Sequence, residues 1–244
     1  MVVAVFGATS RAARAVALRL AERGHDVALC ARDLDEATRL AADVAVRAGV
    51  RAVGYAFDAT SLDALPALVS RIEAEVGPVG TALVAFGDLG DPQRAQREPE
   101  ALRHVLEANF VGAAVLLEAL AAPMAARKAG AIAVIGSVAG DRGRQSNYAY
   151  GSAKGGLEVF VSGLRNRLFP LGVHVLLVKP GFVDSPMTWG LATRIPVASP
   201  ESLADAIVRG LDARRDVLYH PAFWQGIMGV IGAIPEGLFK RLRL

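Results

Sequence analysis

Hydrophobic positions follow two rhythms along this chain. Short, nearly continuous apolar runs have the length of strands: VVAVF (2–6), DVALC (26–30), AVGYAF (52–57), GTALVAF (80–86), AIAVIG (131–136) and VHVLLV (173–178). Between them lie longer stretches with apolar residues at helical spacing. These are RAARAVALRLAER (11–23), LDEATRLAADVAVRA (34–48), LDALPALVSRIEAEV (62–76), a long helix over about 99–127 with Pro123 near its end, and helices at about 148–169 and 200–214. A short strand, DVLYH (216–220), ends the series. Strands that are apolar on both sides need cover on both faces, and strands alternating with helices give a parallel sheet. The pattern predicts an α/β, doubly wound Rossmann fold in which residues 1–221 form one dinucleotide-binding and catalytic domain. In such a sheet ligands bind beyond the carboxyl ends of the strands. Chemistry is therefore expected just after residues 6, 30, 57, 86, 136 and 178.

Composition narrows the function. At 53% hydrophobic and 21% charged residues, the 244-residue chain can build a large core and is not disordered. The one cysteine, Cys30, excludes an intramolecular disulfide and a cysteine metal cage. It sits in an apolar run and reads as a buried, inert thiol; no metal site is expected. The net charge of +3 comes without a dense basic block, so no nucleic-acid partner is expected. No basic stretch precedes the first apolar run, so the expected compartment is the cytoplasm, without a signal peptide.

The strand ends carry the candidate binding residues. Gly7, Thr9, Ser10 and Arg11 follow the first strand in GATSRAARA. A glycine turn and small polar residues before a helix let backbone N–H groups face a pyrophosphate. The strict dinucleotide pattern has three glycines; here Arg11 and Ala13 stand at the later two. A plain helix cap by Thr9 or Ser10 is the alternative. After the second strand, Ala31 is neutral and Arg32 basic, which suits a 2′-phosphate and favours NADP over NAD. Asp33 reads as the cap of the next helix. Asp58 is placed either to meet an adenine amino group or to cap its own helix. Ala85, Phe86 and Gly87 end the fourth strand and leave room for a ligand near the backbone.

The fifth strand ends at Ser137, and SNYAYGSAK follows. Tyr150 and Lys154 are one helical turn apart and share a face. A phenol titrates near pH 10, and a neighbouring cation stabilises the phenolate. Lysine, a compact point charge, suits that task in a chain that otherwise uses arginine. Tyr148 points the other way on a helix, so Tyr150 is the expected acid and Tyr148 a packing or pocket residue.

These features resemble the short-chain dehydrogenase/reductase family over almost the whole chain. The motifs are Ser137, Tyr150-x-x-x-Lys154, Asn109 in EANFVG, and KPGFVDSPM (179–187). The resemblance implies a seven-stranded Rossmann sheet, mostly parallel, and an NAD(P)-dependent oxidoreductase transferring hydride between a nicotinamide and a ketone or secondary alcohol. It implies that Asn109 completes a catalytic tetrad through a water relay. It further implies that the loop after Pro180 and Gly181 covers the nicotinamide, with Val183 and Ser185 at the carboxamide, and that the chain forms a homodimer or homotetramer. The reduced glycine motif and VAFG in place of Asn-Asn-Ala-Gly depart from the family pattern, and they keep open a non-catalytic dinucleotide sensor or scaffold. GATSRAA, SVAGDRGRQSNYAYGSAK and GLRNRLFPLGVHVLLVKPGFVDSPMT are similar to a branch that reduces decaprenylphosphoryl 2-keto-pentoses, which implies a lipid-linked keto-sugar and NADH. The cofactor implied by that branch opposes the reading of Arg32.

Residues 188–200 are expected to form the lid over the substrate. Residues 222–244 are an apolar and basic tail whose apolar stretch, Phe223 to Ile234, is shorter than the roughly 20 apolar residues that span a bilayer. Two readings are open: a pocket lid or subunit contact, or a segment lying peripherally on the inner membrane face.

Overall fold

The computed structural model describes residues 1–185 and 195–242. Most of the expected lid segment thus lies outside the described residues, as do Pro186 and Met187 of the motif after the sixth strand.

The apolar runs become seven strands in one sheet: β1 (Val2–Phe6), β2 (Asp26–Ala31), β3 (Ala52–Ala56), β4 (Val79–Val84), β5 (Gly130–Ile135), β6 (Val173–Pro180) and β7 (Val217–His220). Their order is β3-β2-β1-β4-β5-β6-β7. Every pairing is parallel, so the sheet is wholly rather than mostly parallel. Strands β1 and β6 are buried along their full length, as their uninterrupted apolar sequence requires.

Helices cover both faces. On one side α3 (Ala64–Glu75), α6 (Gly112–Arg127) and α7 (Tyr148–Leu168) press Leu65, Ile72, Leu116, Leu120, Leu157 and Val161 onto the sheet. On the other, α1 (Arg11–Ala21), α2 (Leu34–Ala48) and α8 (Pro200–Asp212) contribute Val16, Leu20, Val44, Leu203 and Ile207. Winding runs outward from β1 to β3, then restarts at β4 on the other side of β1. That switch point opens a crevice between the ends of β1 and β4.

The long helix expected over 99–127 is interrupted. It consists of α5 (Pro99–Leu106), a π-turn at Glu107–Val111 and α6. The π-turn holds Asn109, and such turns often mark functional sites. The Pro99–Arg127 stretch is long and apolar enough to cross a membrane by length and composition, but half of its most apolar window is buried in the domain. It is the central core helix. A short helix, α4 (Pro92–Ala95), has no periodic signal in the sequence; Pro92 and the Asp91 cap form it. The tail folds as α9 (Phe223–Ala233) and α10 (Glu236–Phe239).

Candidate active site

The turn after β1 is built on Gly7, whose φ of +87° disfavours a side chain. A Cβ there would also come within 2.9 Å of the backbone of Ala85 and Phe86 at the end of β4. The glycine therefore lets the β1 turn and the β4 end close on each other at the switch point. Ser10 holds the N-cap position of α1, but its hydroxyl makes no cap hydrogen bond, and no acidic residue lies in the first turn. The helix thus presents uncapped N–H groups and the positive end of its dipole, which fits a pyrophosphate. Thr9 and Ser10 are both exposed there.

Other binding candidates divide. Arg11 pairs with Asp184 at 3.0 Å and lies 3.9 Å from Glu201, so its charge bridges the β1 turn to the loop after β6 and to α8. Arg32 is exposed at the end of β2. Asp58 accepts from the backbone N–H and the hydroxyl of Thr60, both at 2.8 Å. Those bonds hold its carboxyl below the usual range, with Arg32 adding to the effect. Phe86 turns its ring onto Phe57, 5.1 Å between centroids, so only its backbone faces the crevice. Ala85 hydrogen-bonds β1 through its N–H. Beyond Pro180, Gly181 donates to His220 at 2.9 Å, and Val183 forms a β-bridge with Ala198. Asp184 donates to Ala198 as well, so the loop up to Ser185 is pinned from below.

Ser137, Tyr150 and Lys154 come together because α7 docks closely on the turn after β5. Gly151 and Gly155 face that turn, and Cβ atoms there would lie 2.8 Å from Ala139 O and 2.9 Å from Gly140 O. The small residues of the AYGSAKGG stretch are thus what bring the phenol beside the serine. Ser137 is extended, and its Oγ accepts from Ala139 N–H at 3.1 Å, which leaves the hydroxyl proton to donate outward.

Lys154 is buried, donates to Ile135 O at 3.0 Å, and places Nζ 5.9 Å from the centre of the Tyr150 ring. Gly87 marks where the groups converge: a Cβ there would sit 2.7 Å from Asn109 Oδ1 and 3.4 Å from Lys154 Nζ. Asn109 is fully buried. Its Nδ2 donates to Val105 O (2.8 Å) and Asp88 O (2.6 Å), and its Oδ1 accepts from Asp88 N–H (3.0 Å). Both amide hydrogens are therefore used on the backbone. The side chain holds the Gly87–Asp88 loop against Lys154, in addition to any part in a relay.

Electrostatics corrects one expectation. The sequence argument has the ammonium lowering the phenol pKa, but burial is the larger effect and pushes Tyr150 up to about 12, with Ser137 pulling the other way. Burial also brings Lys154 down to about 8, opposed by the Glu158 carboxylate. At neutral pH the phenol keeps its proton, as an acid must. Tyr148, expected in packing or in the pocket, is half exposed at the start of α7.

A family model described as short chain dehydrogenase matches residues 1–195. The chain belongs to the short-chain dehydrogenase family. Its members are NAD(P)-dependent oxidoreductases, and this chain is one of them. An uncharacterized oxidoreductase of Mycobacterium tuberculosis is 36% identical over 240 residues, covering 98% of this chain and 96% of the relative. Cyclohexanol dehydrogenase of Rhodococcus sp. is 34% identical over 198 residues, 74% of this chain and 73% of that one. Among solved structures, a short-chain dehydrogenase from Sphingobium yanoikuyae in complex with NADPH superposes with a TM-score of 0.78 at 26% identity, covering 96% of both chains.

Three features of the folded chain escaped the sequence reading. Glu158 lies one turn beyond Lys154 on the same stripe, a signal that the Tyr-x-x-x-Lys spacing already contained. Lys179 is one of few lysines, and it is buried against Glu158 and Asp141. Arg142 reaches the tail: Nη1 donates to Ile231 O at 2.7 Å and Ile234 O at 2.6 Å, Nη2 meets Glu236 at 2.9 Å, and the guanidinium lies 3.7 Å from the Phe239 ring centre. Beside it Trp224 and Met228 bury themselves against Val138.

Proposed function

We propose that this short-chain dehydrogenase interconverts a ketone and a secondary alcohol with NADP(H), using Tyr150 as acid, Ser137 as the second hydroxyl on the substrate oxygen, Lys154 as the adjacent cation and Asn109 as the residue that fixes the loop beside it. The observation that carries it is the meeting of Lys154 and Asn109 at Gly87, with Tyr150 next to Lys154 and hydrogen-bonded to Ser137, and the uncapped end of α1 at the same end of the sheet. The nicotinamide, when bound, supplies or accepts the hydride. In the reducing direction Tyr150 gives its proton to the substrate oxygen while Ser137 donates a hydrogen bond to it. The Lys154 ammonium stabilises the tyrosinate left behind. In the oxidising direction the same phenol must first lose its proton, which the buried site resists. The test follows loss of the reduced nicotinamide absorbance over a panel of ketones. Turnover supports the enzyme; tight NADPH binding with no turnover of any ketone supports the sensor reading instead.

For the cofactor, the reading is NADPH over NADH. It is supported by neutral Ala31 and exposed Arg32 at the end of β2, and by the NADPH in the S. yanoikuyae relative. Arg11 contributes less than its position suggests, because Asp184 already engages it. Arg32→Ala is expected to weaken NADPH binding about 10- to 100-fold, the worth of a charge-assisted contact, and to leave NADH unchanged. Equal loss for both cofactors, in a fluorescence titration, removes Arg32 from the 2′-phosphate.

The proposed substrate class is a hydroxyl-rich ketone carried on a lipid. An open cleft of about 870 Å³ is lined by Asp91, Pro92, Gln93, Gln96, Arg97, Gln145 and Ser146, on the chain leading into α7, and none of Ser137, Tyr150, Lys154 and Asn109 lines it. Amide, carboxylate and guanidinium groups of that kind suit a polyhydroxylated ligand. The tail supports the lipid: Phe223, Val230 and Leu238 are exposed although Trp224 and Met228 are buried, and Lys240 and Arg241 follow. The full chain is expected to float with anionic liposomes, and a chain carrying Val230→Asp and Leu238→Asp to float less. Failure of the full chain to float removes the membrane role, and equal flotation of both removes Val230 and Leu238 from the contact.

A further inference from the structure

Directly behind Lys154 lies a buried charged cluster. Tyr150, Lys154 and Glu158 follow one another at one-turn intervals along a single stripe of α7. Glu158 Oε2 accepts from Lys179 Nζ at 2.7 Å. Lys179 also pairs closely with Asp141, which in turn accepts from the Tyr219 hydroxyl at 3.2 Å. The side chains of Lys179 and Glu158 are 8% and 13% exposed. The groups that face the cluster therefore come from four elements: Lys154 and Glu158 from α7, Lys179 from β6, Asp141 from the turn after β5, and Tyr219 from β7. Arg144, on that same turn, acts on Asp141.

Glu158 is not a plain ion pair. Its Oε1 is buried and has no hydrogen-bond partner among the described residues. That oxygen lies against the bare backbone of Gly140, where a Cβ would come within 2.5 Å of it. Two carboxylates face two ammonium groups here. Lys179 is held by Asp141 as well as by Glu158, whereas the acidic group acting on Lys154 is Glu158.

We propose that Glu158 is a positioning residue for the reaction: anchored by Lys179, its carboxylate keeps Lys154 protonated beside Tyr150. This role rests on the assignment of Tyr150 and Lys154 made above. Burial pushes Glu158 up to about 7, against the pull of Lys179, and brings Lys154 down to about 8. Burial also works against the Lys179 ammonium, but Asp141 and Glu158 outweigh it and hold it above the ordinary lysine range. Removing the carboxylate leaves the burial of Lys154 unopposed, and the ammonium is lost at lower pH.

The test is the pH profile of kcat/KM for ketone reduction by the full chain with NADPH. Wild type is expected to lose activity as pH rises through about 8. In Glu158→Gln, which keeps the side-chain volume, that alkaline limb is expected to move down by about one pH unit, so that activity at pH 9 falls about tenfold. Glu158→Asp, with its carboxylate retracted by one methylene, is expected to move the limb less and in the same direction, and it carries the test if the Gln variant is unstable. A purely structural role lowers the melting temperature and leaves the limb in place; an unmoved limb in a folded variant overturns the proposal. A wild-type profile flat through pH 8–9 also overturns it. Activity retained in Tyr150→Phe instead removes the assignment on which it rests.

Discussion

Tyr150→Phe is expected to fold as wild type and to lose turnover by a factor of about 100 or more. The ring is buried and its packing does not depend on the hydroxyl. What the substitution removes is one oxygen beside Ser137, at the end of a stripe whose next member is a buried ammonium. The phenol is pushed up to about 12 by burial and so holds its proton at neutral pH, and in the proposed reaction the substrate oxygen takes it. Phenylalanine has no proton to give, and neither Ser137 nor bulk water replaces it at that position. NADPH binding and melting temperature are expected to change little. Tyr148→Phe serves as the control: that side chain is half exposed, and most activity is expected to remain. The reverse result, loss in Tyr148→Phe with activity kept in Tyr150→Phe, reassigns the acid.

The second large effect is on stability. Asn109→Leu keeps the approximate volume of a fully buried side chain and deletes three hydrogen bonds, to Val105 O, Asp88 O and Asp88 N–H. Each buried backbone group left unpaired costs about 1–3 kcal/mol, partly recovered by relaxation and water, so a net loss of about 3 kcal/mol is expected. For a domain of this size that lowers the melting temperature by roughly 6–12 °C. Activity falls with it, because the Gly87–Asp88 loop is released next to Lys154. Thermal melting separates this from a relay role alone. If Asn109 served only a water chain, the melting temperature would stay and turnover would drop.

The two predictions differ in how well sequence reasoning could reach them. Tyr150 and Lys154 were legible because a helix has a fixed period and the chemistry of a phenol beside an ammonium is local. The sheet was legible for a similar reason: strands buried on both faces leave long apolar runs, and β6 is buried at every position. Asn109 came from resemblance, and its actual partners did not. A π-turn adds one residue to the helical repeat without altering the apolar pattern enough to be noticed, so the clamp on Asp88 was invisible. The net direction of the Tyr150 shift was missed because burial depends on the close docking of α7, through Gly151 and Gly155, on a turn distant in sequence. The partners of Arg11 were missed for the same reason, since Asp184 and Glu201 approach it only in the folded chain.

Arg142 follows Ser137 by little more than a single turn of chain, and its guanidinium holds the carbonyl end of α9 as well as Glu236 and Phe239. The α9–α10 tail is therefore fastened to the turn just after Ser137. Any event at that terminus, whether a fused tag, a proteolytic nick or the pull of an interface, has a short mechanical route to the chemistry.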